Sequence, residues 1–142
     1  MSEALIRVQT RAVAERLRLL RSLVRETAAS AGLGDDGVRD VVLAVDEACQ
    51  NVVRHAYAQA QSERPLELEV LSDAGSLTFV LRDAGRAVDL DAIRPGPPDA
   101  LRPGGRGLYL IRQVMDRVEH RPGPGGTGNE LRLSKLIPRE AR

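Results

Sequence analysis

Apolar residues recur at helical spacing in the first third of this chain, and that spacing limits the folds the chain can adopt. Residues 10–34 predict a first helix that ends at glycines, and Asp35 or Asp36 caps a second helix that ends near residues 57–60. The apolar positions are Val13, Leu17, Leu20 and Val24 in the first helix and Val38, Val41, Val45, Ala48 and Val52 in the second. Both helices therefore turn one face toward a core.

The period of the apolar residues changes to two in later segments, as is typical of half-buried strands. Residues 65–73 and 76–83 alternate around a turn at Gly75 and predict a β-hairpin. Residues 4–10 and 129–137 alternate in the same way and predict two further strands. This order of elements predicts an α+β fold, a two-layer sandwich in which helices cover one face of a mostly antiparallel sheet.

Residues 91–105 hold four prolines and several glycines. Such a segment cannot form a regular element, so we expect a long loop there. Loops of this length in a small domain are usually functional or disordered. The helical pattern resumes directly after the glycines, which predicts a third helix over residues 106–120.

The composition fits one globular domain spanning residues 1–142 and excludes some classes of function. Hydrophobic residues make up 42% of the chain but aromatic residues only 2%, so recognition by stacking on nucleic-acid bases is nearly excluded. The 21 basic and 20 acidic residues nearly balance and form no block of like charge. We therefore expect no direct nucleic-acid partner.

The single cysteine, Cys49, lies within the second predicted helix. A small buried thiol is the favoured interpretation, and it suits a reducing cytosol. The first residues show no signal pattern, and no run of roughly 18 apolar residues could span a bilayer. We therefore expect a cytoplasmic protein without a membrane partner.

Three polar residues, Glu47, Asn51 and His55, recur every four residues along the second helix. At about 100° per residue they form one line that borders the buried line of the same helix. A solvated helix face explains any one of them alone. His55 either lines a pocket or caps the helix end; the structural role is favoured, although its place on the line keeps it among the candidate ligand-binding residues.

Two further segments place glycine beside groups that bind ligands. Asp83 ends a strand, where its carboxylate can accept a hydrogen bond from an exocyclic amine such as that of adenine, and Gly85 lets a ligand approach the backbone. A plain turn is the alternative. Gly104, Gly105 and Gly107 lead into the third helix, whose N-terminal N–H groups favour phosphate. A flexible connection is the alternative, and the spacing matches neither a P-loop nor a dinucleotide fingerprint.

Taken in order, EACQNVVRHAY, DAG, GGRGLYLIRQVMDRV and GTGNELRLSKLI resemble the N box, the two glycine boxes and the closing strand of the GHKL superfamily of ATP-binding proteins. The chain is most similar to the small stand-alone branch, the bacterial anti-sigma-factor serine kinases, over almost its whole length. The resemblance implies a Bergerat-type sandwich, with ATP held between the helix layer and a lid at about residues 91–105.

The resemblance also implies a role for each motif residue. Asn51 would coordinate Mg²⁺, and Glu47 would be the general base that takes a proton from a Ser or Thr hydroxyl of a protein substrate. Asp83 would bind the adenine amine, Gly85 would admit the ring, and Thr127 would lie near the base. The residues along the glycine-rich loop, which would wrap the phosphates, are Gly104, Gly105, Arg106, Gly107 and Leu108. His120 is assigned no role.

The chain departs from the wider superfamily in two places. Arg86 and Ala87 stand where a second glycine usually follows the DAG motif, and the first helix contains no phospho-acceptor histidine. The second departure implies that this chain does not phosphorylate itself as a histidine kinase does.

As a whole, the resemblance implies a cytosolic Mg-ATP-dependent serine/threonine protein kinase of the anti-sigma-factor type. Such a protein binds a sigma factor and phosphorylates a small anti-anti-sigma antagonist, and it forms a homodimer. Two alternatives stay open: a non-catalytic module in which ATP only orders the lid and so sets the affinity for a partner, and a regulator of a system other than transcription.

Overall fold

The computed structural model describes residues 2–56, 64–86 and 105–138. This part of the chain forms five strands and three α-helices, with one π-helical turn after the second helix. The elements are β1 (Glu3–Arg11), α1 (Ala14–Ser30), α2 (Asp35–Asn51), the π-turn (Val52–Ala56), β2 (Pro65–Asp73), β3 (Ser76–Asp83), α3 (Gly105–Val114), β4 (Arg117–Pro122) and β5 (Asn129–Leu136).

The strands form one antiparallel sheet in the order β1-β2-β3-β5-β4. This order places β3 in the centre, paired with β2 on one side and with β5 on the other. The register joins Asp83, the last residue of β3, to Asn129, the first residue of β5. Two residues 46 positions apart in the sequence therefore meet at one end of the sheet.

The core lies between the sheet and the helix layer. Alternate residues of a strand point to the same face, and here the helix-facing residues are the buried ones. The largest fully buried side chains of this core are Leu66, Leu68, Val70, Leu77, Phe79, Leu81 and Leu133 of the sheet, with Val24, Val41, Val45 and Ile111 of the helices. Each such side chain stabilises the fold by about 1.5–3 kcal/mol relative to exposure, so packing against the sheet fixes the orientation of α2.

The opposite face of the sheet is covered by charged side chains. Arg82 donates hydrogen bonds to Glu67 and Glu69 at 3.0 Å and to Glu130 at 2.9 Å. Burial alone would raise the pKa of Glu130, but hydrogen bonds from Arg82 and Arg132 outweigh it and hold that pKa below its ordinary value. The network joins β2, β3 and β5 across the centre of the sheet.

The α+β class, the two predicted N-terminal helices, the hairpin and the predicted strands are confirmed. The predicted end of the second helix, near residues 57–60, and most of the predicted loop at 91–105 lie outside the described residues, although Gly105 begins α3. No helix in the described ranges is both long and apolar enough to cross a membrane.

The third helix is shorter than predicted, because α3 ends at Val114 and residues 117–122 form strand β4. Lys135 of β5 donates a hydrogen bond to the carbonyl of Val114 and forms an ion pair with Asp40 of α2 at 3.0 Å. A cation at this position stabilises the C-terminal end of a helix. The apolar residue beyond the end of α3 belongs to strand β4, where Val118 pairs with Leu133 of β5.

Candidate functional site

The structure brings the polar line of α2 against the glycine-rich start of α3. A Cβ atom placed on Gly107 would lie 2.9 Å from Glu47 Oε2, 3.4 Å from Asn51 Nδ2 and 3.7 Å from Asn51 Oδ1. Both side chains therefore contact the backbone of α3 within its first turn. The absence of a side chain at Gly107 is what makes this approach possible.

Glu47 and its neighbour Asp46 have different surroundings, although both are half-buried acidic residues of α2. Asp46 accepts hydrogen bonds from Arg21 of α1 at 2.9 Å and from Gln50 at 2.8 Å. The side chains of Glu47 and Asn51 have no hydrogen-bond partner within the described ranges. Asp46 thus holds α1 to α2, while Glu47 remains available to a ligand at the start of α3.

The start of α3 supplies the electrostatic counterpart. The first N–H groups of a helix have no intrahelical acceptor and carry partial positive charge, so they attract anions. Gly105 and Gly107 lie in this turn, and Leu108 anchors it, since its side chain is 3% exposed. Oxygen atoms of Glu47 and Asn51 beside this turn are donors of the kind that Mg²⁺ accepts, together with phosphate oxygens and water.

A second group of residues surrounds Asp83 at the end of β3. Its Oδ1 atom accepts hydrogen bonds from the backbone N–H of Gly85 at 2.9 Å and from Asn129 Nδ2 at 3.0 Å. Asp83 follows the buried Leu81 by two residues, so its side chain points to the helix-facing side of the sheet. The carboxylate is therefore fixed in direction on the side where the helices lie.

Asn129 was not predicted as a site residue, and His120 was assigned no role. Asn129 is 7% exposed and is the one buried polar residue of the described chain. Its Nδ2 also donates to the carbonyl of Arg86 at 2.9 Å, and its Oδ1 lies 2.9 Å from Nε2 of His120. The register of β3 with β5 is the signal that identifies Asn129, and that register is not apparent from either strand alone.

A glycine turn holds this group together. Gly128 has φ of +76°, and a Cβ placed on it would lie 2.4 Å from the carbonyl oxygen of Asp83. Its N–H donates to the carbonyl of Gly85 at 3.1 Å. The preceding residue, Thr127, is exposed on this turn, so its predicted place near the base stays a prediction.

The remaining predicted residues are only partly described. Gly104 lies outside the described residues, and so do the side chains of His55 and Arg106. Cys49 is buried as predicted, and burial raises the pKa of its thiol to about 12, which makes it an inert core residue and not a nucleophile. The described ranges contain no cluster of three or more His, Cys, Asp or Glu side chains that could hold a metal ion.

The amino-acid sequence of this chain is similar to a known protein family and to individual proteins. The model of the histidine kinase-like ATPase domain matches residues 10–135. The serine-protein kinase RsbW of Halalkalibacterium halodurans is 33% identical, over 91% of this chain and 81% of that protein. The RsbW of Staphylococcus aureus is 32% identical, over 97% of this chain and 90% of that protein.

Two solved structures share the fold. The RsbU and RsbW domains of a Mycobacterium tuberculosis protein match with a TM-score of 0.67 and 20% identity, over 96% of this chain and 34% of that one. The histidine kinase domain of a blue-light activated kinase from Erythrobacter litoralis matches with a TM-score of 0.56 and 18% identity, over 87% of this chain and 60% of that one. The chain therefore belongs to the histidine kinase-like ATPase family and, within it, to the RsbW-type serine-protein kinases.

Proposed function

We propose that this protein transfers the γ-phosphoryl group of Mg-ATP to a serine or threonine hydroxyl of a small antagonist protein. One observation carries the proposal: Glu47 and Asn51 both lie against Gly107, in the first turn of α3. A base, an oxygen ligand for Mg²⁺ and a helix N-terminus thus meet at one place. Phosphoryl transfer needs this combination, since its catalysis consists mainly of positioning and electrostatic stabilisation.

In this proposal each residue has a separate task at the phosphate end of the site. Glu47 accepts the proton of the attacking hydroxyl as general base. Asn51 would hold Mg²⁺ through its side-chain oxygen, with phosphates and water as the remaining ligands, and the ion would neutralise charge on the phosphates. The backbone N–H groups at the start of α3, from Gly105 to Leu108, bind the phosphate oxygens.

The adenine end of the proposed site lies at the end of β3. Asp83 Oδ1 already accepts two hydrogen bonds from the protein, so Oδ2 is the atom left for the exocyclic amine of adenine. Gly85 is buried beside it and allows the ring to approach the backbone. The family resemblance adds four further residues to the proposed nucleotide site: His55, Gly104, Arg106 and Thr127.

The regulatory role follows from the family. We infer that the antagonist is an anti-anti-sigma protein. We also infer that the kinase, when it is not bound to this antagonist, binds a sigma factor and so acts as an anti-sigma factor. We also infer a cytoplasmic homodimer in which residues 1–142 form one domain. The RsbW-type serine-protein kinases, which match most of the chain, support the regulatory role.

The test is transfer of γ-labelled phosphate from Mg-ATP to an antagonist protein, with ATP binding measured in parallel by calorimetry. We expect Glu47→Gln to lower the transfer rate at least about 100-fold while it keeps ATP affinity. Asn51→Ala should lose both transfer and the Mg²⁺ dependence of ATP binding. Glu26→Gln, which changes an exposed carboxylate of α1, is the matched control and should retain full activity.

The outcomes separate the two main functions. If wild type and Glu26→Gln label the antagonist and the other two variants do not, the result supports kinase activity and the role of Glu47. If wild type binds ATP but transfers no label, and ATP instead changes the affinity for a partner, the protein is the nucleotide-gated binding module.

A further inference from the structure

His120, Asn129 and Asp83 form a row of three hydrogen-bonded side chains. The orientation of each side chain in this row is determined by its neighbours. The amide nitrogen of Asn129 faces two acceptors, Asp83 Oδ1 at 3.0 Å and the carbonyl of Arg86 at 2.9 Å. A flipped amide would place its oxygen against both acceptors. The nitrogen must therefore point to Asp83, and Oδ1 must point to His120.

This orientation also determines the role of His120. Because Asn129 Oδ1 can only accept, the Nε2 atom of His120 at 2.9 Å must carry a proton and donate it. His120 follows Val118 by two residues on β4, so it points to the same face of the sheet as Asp83 and Asn129. Three adjacent strands, β3, β5 and β4, thus contribute one side chain each to a single row.

The row affects the carboxylate that faces the ligand. With two donors on its Oδ1, Asp83 keeps Oδ2 as an acceptor on the helix-facing side. An acceptor with a fixed direction accepts a hydrogen bond from the 6-amino group of adenine. It repels the 6-carbonyl group of guanine, because that oxygen is itself an acceptor. Loss of the His120 donor would leave the buried Oδ1 of Asn129 without its partner, and the amide would have to shift to find another, which weakens one of the two bonds that fix the direction of Asp83.

We propose that His120 and Asn129 are positioning residues that set the preference for adenine over guanine by orienting Asp83. This inference rests on the proposed nucleotide site. It concerns the base and not the phosphates, because Asp83, Asn129 and His120 lie on the strands of the sheet, whereas Glu47 and Asn51 of α2 lie beside Gly107 at the start of α3. The effect therefore falls on nucleotide affinity and leaves the chemical step unchanged.

The experiment compares His120→Leu, His120→Gln and Asn129→Asp with wild type. His120→Leu removes the donor, whereas the amide of His120→Gln can place an N–H at a similar reach. Asn129→Asp sets a carboxylate against Asp83. Affinities for ATP and for GTP are measured by calorimetry, kcat and KM by phosphate transfer, and folding by thermal denaturation of each variant.

We expect His120→Leu and Asn129→Asp to weaken ATP binding about tenfold and to raise KM in proportion, while GTP affinity and kcat change less than about twofold. His120→Gln should recover most of the ATP affinity, which a merely structural role for the ring would not allow. An unchanged ATP-to-GTP ratio in folded His120→Leu and Asn129→Asp overturns the inference and leaves the proposed function intact. A wild-type protein that binds neither nucleotide overturns the proposed function as well.

Discussion

Replacement of Gly107 by alanine separates stability from activity in a way that the structure predicts quantitatively. The new Cβ would lie 2.9 Å from Glu47 Oε2, so the carboxylate must retreat by about 0.5 Å to reach ordinary contact. The contact atom is the end of a flexible side chain, and alanine is about 1 kcal/mol more favourable than glycine inside a helix. We therefore expect a free energy of unfolding equal to that of wild type or up to about 1 kcal/mol higher.

The same displacement acts differently on catalysis. In the proposed mechanism, the Glu47 carboxylate would then lie farther from the attacking hydroxyl, and a misplacement of this order in a reacting group can cost about 100-fold in rate. The methyl group would also narrow the space at the start of α3, where phosphate binds in the proposed mechanism. We expect kcat/KM for phosphate transfer to fall about 100-fold, although the variant is at least as stable as wild type.

Urea denaturation and labelled phosphate transfer measure the two quantities on the same preparations. Gly37→Ala is the matched control, because Gly37 lies in the first turn of α2 and the atoms nearest to its added Cβ belong to the side chain of Leu33, away from Glu47. It should keep its activity. A Gly107→Ala protein with activity within threefold of wild type would refute the reasoning, and so would an equal loss in both variants.

Three further predictions concern stability and the buried thiol. The pKa of Glu130 is lowered in the folded protein, so its contribution to stability is complete above its unfolded pKa and is lost as the pH falls through the folded pKa. Arg82→Leu removes a hydrogen bond that lowers this pKa. The free energy of unfolding of this variant, measured in an acid titration, should therefore depend less on pH below pH 5 than that of wild type. Lys135→Met should lower the free energy of unfolding by about 2 kcal/mol in urea denaturation, because it removes the ion pair with Asp40 and the cation at the end of α3. Cys49 should resist thiol reagents at pH 8 in the folded protein and react at once in denaturant, and rapid labelling of the native protein would contradict its burial.

The sequence predicts those features that depend on local periodicity. The apolar line of α2 is buried, and Glu47 and Asn51 border it as their spacing predicts. The hairpin of β2 and β3 also follows from a local turn and alternation.

Features that depend on pairing between distant segments could not be predicted in this way. The sequence of strand β4 predicts the end of a helix, because a short apolar pattern fits either period and only the pairing with β5 selects the strand. The contact between Asn129 and Asp83 likewise arises from the pairing of β5 with β3. Nothing in the residues beside His120 indicates the partner that it meets across the sheet.

The two ends of the site are built on different layers of the molecule. Asp83 and its supporting row belong to the sheet, whereas Glu47, Asn51 and Gly107 belong to the helices. A nucleotide that reaches both ends would therefore act as a non-covalent cross-link between layers that are otherwise joined by the apolar core and by the bonds of Lys135 to α2 and α3. In the proposed site, base selection and phosphate transfer can accordingly change one at a time, because the residues proposed for the first lie on the sheet and those proposed for the second lie on the helices.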